Sequence, residues 1–84
     1  MKYTDKIISD PNILLGKPIV KGTRISVELI LRRLSEGMET KDLLEAYPQL
    51  KYDDVLAALS YSAEILSGEE MIESWYIGWW KREL

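Results

Sequence analysis

The sequence predicts a mainly α-helical domain with a short N-terminal β arm and a C-terminal Trp-rich helical tail. Three observations predict it. Apolar residues recur with a helical period in three successive segments between residues 27 and 66. Gly37, Pro48 and Gly68 stand where those segments should stop. Ahead of them, Gly16–Ser26 sets β-branched residues among two glycines and a proline, the composition of a turn-rich arm.

Each element has a local cause. Ile7-Ile8 makes a short strand over residues 3–9, and Asp10-Pro11-Asn12 turns the chain. Ile19, Val20 and Ile25 are β-formers with Gly22 between them, which predicts a basic hairpin or arm. The arm is expected to pair with the arm of a second chain in a homodimer, because an isolated hairpin is marginal and an open edge invites a partner; the alternative is Ile7-Ile8 against Ile19-Val20 within one chain, and both can hold at once. Ser26 is an N-cap, with Glu28 in the following turn. Val27, Ile30, Leu31, Leu34 and Met38 share one face, so the first helix runs roughly from Val27 to Glu36 and stops at Gly37.

Thr40 is read as the second N-cap, and Leu43, Leu44 and Tyr47 form a short apolar face. Pro48 ends that helix by driving Tyr47 out of the α region. The third helix runs from about Asp53 to Leu66, with Val55, Leu59, Ser62, Ala63 and Leu66 as its inward stripe, broadened by Leu56 and Ile65. The expected core is Val27, Ile30, Leu31, Leu34, Leu43, Leu44, Val55, Leu59 and Leu66. Two helices joined by a tight turn behind a longer helix outline a trihelical helix-turn-helix unit, residues 1–68. Residues 69–84 form the tail: Met71, Ile72, Trp75, Tyr76, Trp79 and Trp80 recur at helical spacing opposite Glu69, Glu70, Glu73 and Ser74.

Composition narrows the function. A chain of 84 residues buries only about 60–65% of its unfolded surface, which favours a core shared in an oligomer. There is no Cys and no His, which removes disulfides, the common zinc sites and His-based catalysis. Adjacent acids such as Asp53-Asp54 point to different sides of a helix and make a poor carboxylate site. The N-terminus leads into no apolar run of signal-peptide length, and no stretch approaches a membrane span. The expectation is a cytoplasmic, non-catalytic protein with no cofactor and no metal.

Charge divides the chain. Residues 1–33 hold seven Lys/Arg against three Asp/Glu, and residues 34–84 hold four against eleven, for a net charge of −3. A basic arm on an acidic body suggests two partners of different character. Lys17, Lys21, Thr23, Arg24, Arg32 and Arg33 are the candidate nucleic-acid contacts, the cations neutralising phosphates. Thr23 and Arg24 have an equal structural alternative, holding the arm onto the first helix or pairing with Asp10 or Glu28. Trp75, Tyr76, Ile77, Trp79 and Trp80 are the candidate partner-binding residues, since Trp and Tyr dominate interface hot spots.

One pattern is familiar: Asp10-Pro11, Gly16-Lys17-Pro18-Ile19-Val20-Lys21-Gly22-Thr23-Arg24-Ile25, Gly37, Tyr47-Pro48-Gln49-Leu50, and Asp53-Asp54-Val55 with Ala57-Ala58-Leu59 and Tyr61. It resembles the bacterial and archaeal family catalogued as DUF four-three-three, over about residues 4–66. The resemblance implies a homeodomain-like helix-turn-helix fold. It also implies an antitoxin of a type II toxin–antitoxin pair, neutralising a PIN-like toxin of the Mut7-C type and autorepressing its operon through DNA. Two departures stand out. Lys51 lies where that family tends to carry a capping Ser or Thr. Asp53 and Asp54 open the would-be reading helix, which offers no Arg, Asn or Gln for bidentate base contacts. The charges therefore favour the arm over that helix for DNA. The alternative function is a protein-interaction adaptor or homo-oligomeric module that does not bind DNA.

Overall fold

A computed structural model describes residues 5–67. The element order is β1 (Ile7–Ser9), a single 3-10 turn (Leu14–Gly16), β2 (Pro18–Val20), α1 (Val27–Ser35), α2 (Thr40–Ala46) and α3 (Tyr52–Leu66). The expected trio of helices behind a β arm is present. The predicted tail and its boundary at residue 68 lie outside the described residues.

The hairpin closes within one chain. β1 and β2 are antiparallel, with Ile7 opposite Val20, Ile8 opposite Ile19 and Ser9 opposite Pro18. The chain then doubles back: Val20 N–H donates to the Ile25 carbonyl at 2.9 Å, and Ile19 bridges Ser26. Gly22 in this second turn has φ +84°, a left-handed value that costs glycine nothing. Ile7, Ile19, Val20 and Ile25 are all buried, so the arm is one wall of the core.

Ser26 caps α1 as its sequence position suggests, its Oγ accepting from Leu29 N–H at 3.0 Å. α1 ends at Gly37, φ +97°, whose N–H donates to the Leu34 carbonyl at 3.1 Å. α2 starts one residue earlier than expected. Glu39 occupies the N-cap without a side-chain bond, and Thr40 is the first helical residue, not the cap. Tyr47 leaves the helix at φ −126° ahead of Pro48. Leu50, in the connection to α3, is buried.

The core gathers Ile7, Val20, Ile25, Val27, Ile30, Leu43, Leu50, Val55, Ala57 and Ala58, with Leu31, Leu34, Leu44 and Tyr47 half-buried around it. Two expected core residues are on the surface: Leu59 is 42% exposed and Leu66 74%. The face of α3 that turns inward carries Asp54, Val55, Ala57 and Ala58 instead. The two alanines are fully buried because small side chains let α3 lie close to its neighbours. Counting large residues places the stripe about one residue too far round the helix.

Asp54 explains how α3 starts without a capping side chain. Its Oδ2 accepts the Lys51 backbone N–H at 2.9 Å, reaching back from the third helical position. Its Oδ1 lies 3.7 Å from Lys6 Nζ, which ties the entry to β1 onto α3. The acid that reads as a repellent for phosphate is a buried structural group.

Candidate functional site

The chain from residue 16 to 36 supplies most of the candidate site, and its geometry separates two surfaces. The first is the turn between Val20 and Ile25. Thr23 holds it: Oγ1 donates to the Val20 carbonyl at 2.8 Å and accepts from Ile25 N–H at 2.9 Å. Of the two alternatives for Thr23, the side chain therefore takes a structural one, inside its own turn. Lys21 and Arg24 project from the same turn, both exposed, and have no ion-pair partner among the described residues. Arg24 also borders a concavity of about 620 Å³ shared with Ile8, Ile13, Leu29 and Tyr47.

The second surface is a groove of about 590 Å³ between β2, α1 and the last turns of α3. Its walls are mostly apolar: Pro18, Val27 and Leu31 on one side, Tyr61, Ile65 and Leu66 on the other. Its rim is ionic. Glu28 Oε1 lies 2.9 Å from Lys17 Nζ, and its Oε2 lies 3.0 Å from Arg32 Nη2. The Lys17 ammonium first, then the Arg32 guanidinium, holds the Glu28 carboxyl below its ordinary value. Two cations thus share one acid. All three side chains are at least half exposed, so the pairs are screened and contribute little to stability.

Arg33 is engaged elsewhere. It pairs with Glu36 at 3.0 Å, and the nearby Tyr47 and Glu36 hold its proton more tightly than usual. The six cationic-arm candidates therefore do not converge. Lys17 and Arg32 meet on Glu28, Arg33 sits at the α1–α2 corner, Thr23 braces the turn, and Lys21 and Arg24 on it have no ion-pair partner among the described residues. The predicted partner-binding residues Trp75, Tyr76, Ile77, Trp79 and Trp80 lie outside the described residues.

Two features escape a reading of the sequence. Leu14 and Leu15 have φ of +50° and +57°, and Leu15 is 95% exposed. A left-handed leucine costs about 1–2 kcal/mol, and only tertiary context reveals it. The other is the apolar end of α3. Ile65 is 59% exposed and Leu66 74%, although Asp54, Ala58, Tyr61 and Ile65 follow one another at i, i+4, i+7 and i+11 along the inward face. The buried stripe continues past the body that covers it.

Residues 7–62 match the family described as protein of unknown function (DUF433). The chain is 33% identical over 67 residues to the uncharacterized protein y4eO of Sinorhizobium fredii, covering 79% of this chain but only 30% of that protein's length. A crystal structure of a DUF433 member protein from Anabaena variabilis superposes with a TM-score of 0.69 at 28% identity, over 82% of this chain and 66% of that one.

Proposed function

The chain belongs to the DUF433 family, and from that premise we propose that it is the antitoxin of a type II toxin–antitoxin pair, a cytoplasmic, non-catalytic protein that neutralises a PIN-like ribonuclease by direct binding. The observation that carries this reading is the apolar groove and the uncovered end of α3. Large contiguous apolar surface on a small protein marks a protein contact. The Trp-rich sequence that follows α3 adds residue types typical of hot spots. Its run Glu69, Glu70 and Glu73 suits the basic cleft of a nuclease.

Within this proposal α2, its tight connection and α3 form a homeodomain-like helix-turn-helix used for protein contact. Tyr52 and Asp53 are exposed at the start of α3, and an acid there disfavours a phosphate backbone. Coexpression of the full chain with the PIN-like product of an adjacent gene tests the reading. Copurification of the two and rescue of growth on toxin induction are expected. A neighbouring product that neither copurifies nor is neutralised overturns it.

A second reading, operator contact, is favoured by one observation: Lys21 and Arg24 are exposed on a braced turn and unpaired among the described residues. A gel-shift titration over salt on the flanking promoter should show Lys21→Ala and Arg24→Ala each lowering the salt slope by about one unit per lost phosphate contact. Unchanged binding by the double variant makes the turn structural.

A further inference from the structure

We propose that the groove between β2, α1 and the end of α3 is the seat of the chain's own C-terminal segment, residues 69–84, in the partner-free protein. The inference does not rest on the antitoxin reading. It starts from α3, whose inward stripe runs on from Ala58 through Tyr61 to Ile65. Ile65 and Leu66 then stand 59% and 74% exposed at the mouth of an apolar groove. A core-facing stripe that outruns its body is the docking edge for one more element.

The segment that follows immediately has the matching character. Its sequence puts Trp75, Tyr76, Trp79 and Trp80 at the spacing of one helical face, and Ser67 and Gly68 separate it from α3. Connections of two to five residues join antiparallel helices. A helix over residues 69–80 would span about 18 Å, which reaches back along the last turns of α3 and the nine-residue α1. Charge also matches. The charged lining residues are Lys17, Glu28 and Arg32, one carboxylate for two cations, and the segment opens with Glu69, Glu70 and Glu73.

Tethering selects this occupant over a second copy. A short linker gives an effective concentration on the order of millimolar, so at micromolar protein the chain's own segment fills the groove first. A toxin that takes the Trp-rich face must then displace it, so partner binding becomes an exchange rather than a simple addition.

The sequence supplies its own probe, because all three tryptophans lie in residues 69–84. Selective tryptophan emission and acrylamide quenching of the full chain, with sedimentation at the same concentrations, read the segment alone. A blue-shifted, protected emission that stays constant from sub-micromolar concentration upward in a monomer is expected. Ile65→Glu and Leu66→Glu alter exposed positions, leave the folded body intact by far-UV circular dichroism, and each weaken docking by about tenfold or more. The double variant should therefore shift emission to the red and raise quenching. Solvent-exposed emission in the unaltered chain overturns the proposal. So does protection that appears only on self-association, which gives the groove to a second copy, and so does emission indifferent to the double variant, which seats the segment elsewhere. Each readout uses the protein alone, so its failure is separate from any failure to bind a toxin.

Discussion

The two halves of α3 are built in opposite ways. Its first two turns bury a carboxylate and two alanines, Asp54, Ala57 and Ala58, beside Val55, whereas its last turn exposes Ile65 and Leu66. Hydrophobicity alone predicts the reverse. The difference teaches that burial on a helix follows where neighbouring elements cover it. α1, α2 and β1 all pack on α3, but the described body stops short of its C-terminal end. The covered half holds the fold together. The uncovered half is the surface that function can use.

That contrast can be broken first at its stable end. Val55→Ala removes two buried methyl groups from a residue that is 1% exposed and should cost about 2 kcal/mol. Leu66→Ala, a larger deletion at 74% exposure, should cost less, within about 0.5 kcal/mol beyond whatever docking of residues 69–84 it weakens. Urea denaturation of the two side by side checks the ordering, and equal losses would mean that the last turn of α3 is covered in solution, as docking of residues 69–84 requires. Leu59→Ala, at 42% exposure, should fall between them.

Asp54 sharpens the same comparison from the polar side. Asp54→Ala removes the acceptor of the Lys51 N–H and the Lys6 partner, and should cost about 1–2 kcal/mol, as lost caps do. Asp54→Asn keeps an acceptor in place and should recover part of that loss in the same thermal melt. Asp53→Ala, one position away and exposed, should change little.

The smallest effect is expected at the rim of the groove. The folded-state pKa of Glu28 lies below the ordinary glutamate value of 4.5, because Lys17 and then Arg32 favour its charged form. Its contribution to stability is therefore present above pH 4.5 and is lost as the pH falls through the lowered folded value. Melting of the protein against Glu28→Gln should show a slight advantage near neutrality that vanishes in acid and in high salt. An advantage undiminished in molar salt would mean that the pairing is not the screened surface contact its exposure indicates.

Much of the architecture is legible one residue at a time. Ser26 caps α1, Gly37 ends it and Pro48 ends α2 because each answers a backbone need that its own chemistry fixes. The β-branched runs Ile7-Ile8 and Ile19-Val20 announce strands in the same way, but that they pair with each other within one chain is settled only by the register of the hairpin. The caps, stops and strand runs are local causes, and neighbours in sequence suffice to read them. The N-terminal half of the candidate site was legible only as composition. Seven cations precede residue 34, and the i,i+4 spacing of Glu28 and Arg32 on a helix announces their pair, but nothing in the spacing says that Lys17, eleven residues before Glu28, joins the same acid, or that Lys21 and Arg24 remain unpaired among the described residues.

What the sequence by itself determined is therefore the set of elements: three helices, their starts and stops, and a short β arm, each dictated by side-chain shape and backbone hydrogen bonding within a few residues. The packing of the elements against one another fixed which side of α3 faces inward, that Lys6 meets Asp54 across the hairpin entry, and that Ile65 and Leu66 are left uncovered by the described body. A helix carries its period in its sequence, but the phase of that period and the length over which it is buried depend on the elements packed against it. Alanines win the close contact because they let backbones approach, and Ile65 and Leu66, about two turns further on, stay outside because no described element covers them.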